Sequence, residues 1–199
     1  MFPGSASKIG LIILAAGGSS RLGQAKQLVS FKGESLIRHA AQSATDAGFK
    51  PVIVVTGAAA AQVFEELKQM PVQLADNPDW KDGMASSIKM GVERAKAFAP
   101  DLDGIVLMVC DQPFVNANLL RKLKKTWETT GKGLVACTYA GTIGTPALFA
   151  KDYFDELLGL QGQEGAKKLL LAYKNFVSQV PFPLGEVDID TPEDLKKLD

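Results

Sequence analysis

The chain predicts an α/β fold built on a mainly parallel sheet. Short β-branched runs alternate with helical stretches in βαβαβ order, and those runs show little polar alternation. No linker rich in Gly, Ser or Pro divides the 199 residues. Strands without alternation are those buried on both faces, as helices on either side of a parallel sheet require. One domain is expected over 9–199, behind an N-terminal extension at 1–8.

The elements follow in order. KIGLIIL (8–14) reads as a strand, ESLIRHAAQSATDAG (34–48) as a helix, PVIVVTG (51–57) as a strand, AAAAQVFEELKQM (58–70) as a helix and PVQLA (71–75) as a strand. Helical periodicity then runs from Met84 to Phe98, followed by the apolar strand GIVLMVC (104–110) and a helix from about Asn116 to Thr130, closed by Gly131. The last third changes rhythm. Strands are expected near 133–138 and 145–149, helices near 151–158 and 163–173, a strand near 176–180, and a final helix opened by Thr191-Pro192-Glu193-Asp194. That opening has a capping hydroxyl, Pro at the first helical position and acids in the first turn.

Composition narrows the function. The chain is 46% hydrophobic and 22% charged, with 22 Lys+Arg against 22 Asp+Glu. A compact chain of this length buries roughly 70% of its unfolded surface without metal or disulfide staples. Zero net charge and a pI near 6.6 argue against a broad basic face for nucleic acid or anionic membrane. The two cysteines, Cys110 and Cys137, lie in no CxxC pair and beside no His, so a reducing, cytoplasmic compartment is expected. The start MFPGSASKIG lacks the apolar core of a signal peptide, and the uncharged stretch from Gly133 to Ala150 carries too many turn and polar residues for a membrane span.

The most informative segment is LAAGGSSRLGQAKQL (14–28), between the first strand and the first long helix. Ligands of open parallel sheets bind beyond the carboxyl ends of the strands. A loop rich in Gly and Ser brings backbone N–H groups close to phosphate oxygens. Leu14, Ala15, Ala16, Gly17, Gly18, Ser19 and Ser20 therefore form a candidate triphosphate cradle, to which Arg21 and Lys26 add positive charge. A Walker loop is excluded, because Gln24 and Ala25 stand where Lys and Ser/Thr would follow Gly18 and Gly23, and no GxGxxG is present. The competing reading is a flexible loop.

Asp111, in VCDQP just past an apolar strand, places a carboxylate in the same crevice, where a hard cation such as Mg²⁺ would take it together with substrate phosphates. Asp188 and Asp190 have i, i+2 spacing, face one way on an extended segment and can share that metal. The bland alternatives are an Asp opening a turn before Pro113 and a solvated acidic turn. In NPDWKDGMASS (77–87), Asn77, Ser86 and Ser87 offer amide and hydroxyl groups at a helix N-terminus. The SxxK string at Ser86 and Lys89 has no SDN or KTG partner and is read as a cap. His39 has no His, Cys or Asp companion at metal spacing, so a hydrolytic triad has no base.

Taken in order, LAAGGSSRLGQAKQL, NPDWKDGMASSIKMG, VCDQP, GTIGTPALF and DIDTPEDL resemble the MobA-like NTP transferase family, and within it the molybdenum cofactor cytidylyltransferase branch. The resemblance runs from Ile9 to Leu198. It implies a three-layer α/β/α sandwich of Rossmann-like, nucleotide-diphospho-sugar transferase type. It also implies transfer of a nucleoside monophosphate from an NTP to a phosphate acceptor, with release of pyrophosphate. Arg21 and Lys26 would bind the triphosphate and Asp111 the metal, with Asp188 and Asp190 where the family places a second acidic or amide pair. LAAG resembles the cytidylyl branch, where the guanylyl branch usually reads LAGG, so the implied partners are CTP, molybdopterin and a molybdoenzyme recipient. Gly144-Thr145-Pro146 departs from the Gly-His-Pro common in that branch and bears on the acceptor. Alternatives left open are the same chemistry with another NTP or acceptor, and a noncatalytic protein that delivers the cofactor.

Overall fold

The computed structural model describes residues 7–18, 22–189, 191, 193 and 194. Seven strands form one sheet in the order β5-β4-β1-β6-β8-β7-β9. Four of them, β1 (Ile9–Leu14), β4 (Val52–Thr56), β5 (Gln73–Asp76) and β6 (Gly104–Val109), are mutually parallel. Their near-continuous Ile, Leu and Val content reflects burial on both faces. Odd-numbered residues of β1 (Ile9, Leu11, Ile13) share one core cluster with Ile37 of α1 (Leu36–Asp46), Val63 of α2 (Ala60–Leu67) and Leu120 of α4 (Ala117–Thr130). Ile12, on the opposite face, belongs to a second cluster with Ile88 of α3 (Met84–Phe98), Leu157 of α5 (Phe154–Leu158) and Leu170 of α6 (Lys167–Ala172). The result is the three-layer α/β/α sandwich with a mainly parallel sheet.

The helix ends follow local chemistry. Ser35 caps α1, its Oγ accepting from the Arg38 N–H at 3.2 Å, so the helix begins after the expected Glu34. Asn116 caps α4 by accepting from the Leu119 N–H at 3.1 Å, and Gly131 closes it in the left-handed region that glycine tolerates.

The structure departs from the sequence expectation in three places. Glu34–Ser35 belongs to a two-stranded ribbon, β2 (Ser30–Phe31) with β3 (Glu34–Ser35), too short to leave a periodic signal. The strand expected at 145–149 extends over β8 (Thr142–Ala150), antiparallel to both β6 and β7 (Leu134–Tyr139), while β9 (Val177–Pro181) pairs parallel with β7. The helix expected over 163–173 is confined to α6. Between β7 and β8 the register jumps, with Ala136 opposite Ala147 and Cys137 opposite Gly144. The two intervening residues, Thr145 and Pro146, have no partner on β7, and a bulge is where a strand accommodates Pro. The final helix falls mostly outside the described residues; within them, the Thr191 N–H and hydroxyl both donate to Asp194 Oδ2 at 2.8 Å.

Candidate active site

From β1 the chain winds outward in one direction through β4 and β5, then crosses to β6 on the other side of β1. The strand order therefore reverses between β1 and β6, and such a point leaves a crevice beyond the carboxyl ends of both strands. A cleft of about 390 Å³ lies there, floored by Leu14, Ala15, Ala16 and Gly17 after β1 and by Val109, Cys110 and Asp111 at the end of β6. Its sides are Lys26 and Gln27, the stretch around Trp80, Met84 and Ser87, and Gln163.

Lys26 and Asp111, 85 residues apart, meet in this cleft as an ion pair, with side chains 17% and 14% exposed. The glycine loop beside them presents donors by default. Leu14 O accepts from Cys110 N–H at 3.3 Å and Ala16 O from Ala58 N–H at 3.1 Å. Ala15 O and Gly17 O accept from the Gln27 amide at 2.7 and 2.9 Å. With these four carbonyls tied to the protein and the Ala15 N–H given to Val55 O at 2.9 Å, the N–H groups of Ala16, Gly17 and Gly18 are left for an anion.

Trp80 packs against the same loop. A Cβ on Gly57 would lie 2.8 Å from both the indole and Ala16 O, so that position has no room for a side chain, and one on Gly18 would lie a tight 3.1 Å from the indole. Asn77 organises the far wall. Its amide donates to Ser86 Oγ at 2.9 Å and Ser87 Oγ at 3.0 Å, while its Oδ1 accepts from Asp79 N–H at 3.0 Å. Ser86 Oγ also lies 2.8 Å from Gly83 O and 2.9 Å from Asp79 O, so Asn77 and Ser86 are absorbed into a local network outside the cleft lining. Ser87 lines the cleft, and because its Oγ accepts from Asn77, its hydroxyl proton remains to be donated.

Asp188 is exposed and outside the lining of the cleft, but its neighbour Ile189 donates its N–H to Asp111 O at 3.1 Å, bringing the two chain segments side by side. Ser19, Ser20, Arg21 and Asp190 lie outside the described residues. Among the described residues no group of three or more His, Cys, Asp and Glu side chains is placed to hold a metal. The donors that do meet here are hard. The carboxylate of Asp111 is the oxygen donor in the lining, while burial, with the Asp111 charge beside it, pushes the neighbouring Cys110 thiol above its usual range. Such a set fits a Mg²⁺- or Mn²⁺-like cation completed by substrate phosphates.

Residues 11–176 match the MobA-like NTP transferase domain. The chain belongs to the MobA-like NTP transferase family. It is a nucleotidyltransferase by that membership. The purine catabolism protein PucB of Bacillus subtilis (strain 168) is 29% identical over 193 residues, covering 92% of each chain. The molybdenum cofactor cytidylyltransferase of Escherichia coli (strain K12) is 25% identical with 94% of each chain covered. A "Probable molybdenum cofactor guanylyltransferase" of Bacillus cereus (strain ATCC 10987) is 35% identical over 61% of this chain and 60% of its own. Among solved structures, Rv0371c of Mycobacterium tuberculosis H37Rv matches with a TM-score of 0.84 at 30% identity over 98% of both chains. Its complex with manganese matches at 0.80 and 28%, covering 96% of this chain and 98% of that one.

Sequence reasoning missed three residues of this MobA-like site. Gln27 is fully buried and shapes the loop, and its Oε1 has no hydrogen-bond partner among the described residues. Trp80 packs on the loop, for which the missing Cβ atoms of Gly18 and Gly57 were the available signal. Gln112, 6% exposed, donates to Gly185 O at 2.7 Å and accepts from Thr145 Oγ1 at 3.3 Å, ties between distant segments that no local pattern announces.

Proposed function

We propose that this MobA-like NTP transferase moves CMP from CTP to the terminal phosphate of a molybdopterin-type acceptor, releasing pyrophosphate in a Mg²⁺-dependent reaction. The observation that carries the reading is the Lys26–Asp111 pair at the switch point beside a loop whose carbonyls are turned into the protein. A bare carboxylate would repel a triphosphate. Held against Lys26, Asp111 leaves the crevice nearly neutral, so the arrival of an anion and a cation together can separate the pair into two new ones.

In that exchange Lys26 turns to the phosphates with Arg21, the N–H groups of Gly17 and Gly18 cradle phosphate oxygens, and the Ser87 hydroxyl donates to the nucleoside. Asp111, with Asp188 and Asp190 from the carboxyl-terminal segment, would hold the metal. When bound, that ion neutralises charge on the phosphate oxygens of the α-phosphorus and the leaving pyrophosphate. The protein's own work is positioning and charge complementarity, so no protein nucleophile is required.

The LAAG sequence at Leu14 to Gly17 supports CTP. The guanylyltransferase relative supports a second reading, GMP transfer from GTP at the same site. Pyrophosphate release from CTP, GTP, ATP and UTP, each with and without molybdopterin carrying its metal, separates the two. Release confined to CTP plus acceptor is expected. Release confined to GTP moves the base assignment, and release with none of the four overturns the reading.

A further inference from the structure

We propose that Gln112 is a positioning residue that sets the carboxyl-terminal strap, and with it Asp188, against Asp111; the inference rests on the metal role proposed above for those two carboxylates. Gln112 follows Asp111 directly and spends both ends of its buried amide inside the protein, Nε2 on Gly185 O at 2.7 Å and Oε1 on Thr145 Oγ1 at 3.3 Å. Only this orientation of the amide serves both partners, because a carbonyl cannot donate to a carbonyl.

The strap runs from β9 across the carboxyl ends of β7 and β6, with the amino-terminal end of antiparallel β8 between them. It begins where Phe182 N–H donates to Thr138 O at 2.9 Å, folds back through Gly185 N–H to Phe182 O at 2.8 Å, and ends where Ile189 N–H donates to Asp111 O at 3.1 Å. Its middle is pressed onto Tyr139, since a Cβ on Gly185 would come within 2.3 Å of that ring. Ile189 is buried among Leu22, Val29, Phe31 and Leu36, which leaves its exposed neighbour Asp188 directed away from that cluster. Tyr139 senses the arrangement. Burial raises its phenol above the usual range, hydrogen bonding with Gln112 and Thr145 opposes that, and the Asp188 charge adds to it. One residue, covalently next to Asp111 just past the end of β6, thus fixes the middle of the segment that carries Asp188.

The test is Mn²⁺ binding, read from the electron paramagnetic resonance signal of free Mn²⁺, in wild type, Gln112→Met, Asp188→Asn and the double variant. Gln112→Met keeps the shape and removes both hydrogen bonds. It is expected to weaken Mn²⁺ binding about tenfold, the range in which outer-shell partners act. Asp188→Asn is expected to weaken it at least as much, and the double variant no more than Asp188→Asn alone, because Gln112 acts through Asp188. Unchanged affinity in Gln112→Met, or additive losses in the double variant, overturns the inference while leaving the metal reading intact. Unchanged affinity in Asp188→Asn, or no binding by wild type, overturns the metal reading itself. Should Gln112→Met not fold, Thr145→Val removes one bond to the same amide. A smaller loss that vanishes in the Asp188→Asn background supports the inference, and no loss contradicts it.

Discussion

The two sides of the sheet deliver their groups to the cleft by different means. On the β5-β4-β1-β6 side, each group sits at the end of its own strand or in the loop that follows, so the path from core to chemistry is a few residues long. Apart from Gln163, on the connection from β8 to β9, no described residue of the β8-β7-β9 side lines the cleft. Its contribution arrives through the strap, held by Gln112, Gly185 and the Ile189–Asp111 backbone bond. The first side is a locally encoded platform, and the proposed function places the nucleotide on it. The second is a frame tied together by bonds between distant segments.

The contrast yields an ordered set of variants. Asp111→Ala removes the carboxylate at the switch point and is expected to lower turnover roughly 10³-fold with an unchanged circular dichroism spectrum. Turnover within tenfold of wild type would detach the platform from the chemistry. Lys26→Met is expected to cost about 10²-fold in kcat/KM, because a charge-assisted contact to the phosphates is lost. Equal losses for all four nucleotides would match a phosphate role, and a base-dependent loss would not.

Gln27→Leu leaves the carbonyls of Ala15 and Gly17 without their donor, at about 1–3 kcal/mol for a buried polar group. Its KM for the nucleotide should rise about tenfold with kcat little changed, together with a lower melting temperature; a KM that stays put would show that the loop holds its shape alone. Gly83→Ala should destabilise by roughly 1–3 kcal/mol in chemical denaturation. Gly83 has φ +115°, and a Cβ there would lie 2.2 Å from Gly162 O.

The smallest effect belongs to Cys137, on the far side. Burial pushes its thiol up to about 12, against roughly 8.5 when unfolded. A raised folded pKa means that the folded state keeps its proton longer, so this contribution is fully present below about pH 8.5 and fades as pH rises toward 12. The stability difference between wild type and Cys137→Ala, measured by thermal melts, should therefore shrink between pH 8 and 11. A constant difference would contradict the assignment.

Much of the platform was legible in the sequence because its signals are local. The runs at 9–14, 52–56 and 104–109 declare doubly buried strands, and LAAGG and Asp111 each sit where such a strand ends, with Lys26 later in the loop that follows the first. The frame was harder to read. The antiparallel orientation of β8 is set by its short connection to β7 and not by its composition, and the β2–β3 ribbon holds only two residues per strand. Gln27 and Gln112 escaped notice because their partners are mostly backbone carbonyls of distant segments, contacts that carry no side-chain pattern. Asn77 and Ser86 look like ligand groups in the sequence for the opposite reason: their hydroxyl and amide are visible, while the bonds that occupy them are not.

The most direct test of the central claim is the mass of the acceptor after incubation with CTP and Mg²⁺. The account predicts that molybdopterin gains one CMP for each pyrophosphate released, and that Asp111→Ala yields neither. Pyrophosphate appearing while the acceptor's mass stays unchanged, or conjugation at the wild-type rate by Asp111→Ala, would contradict it.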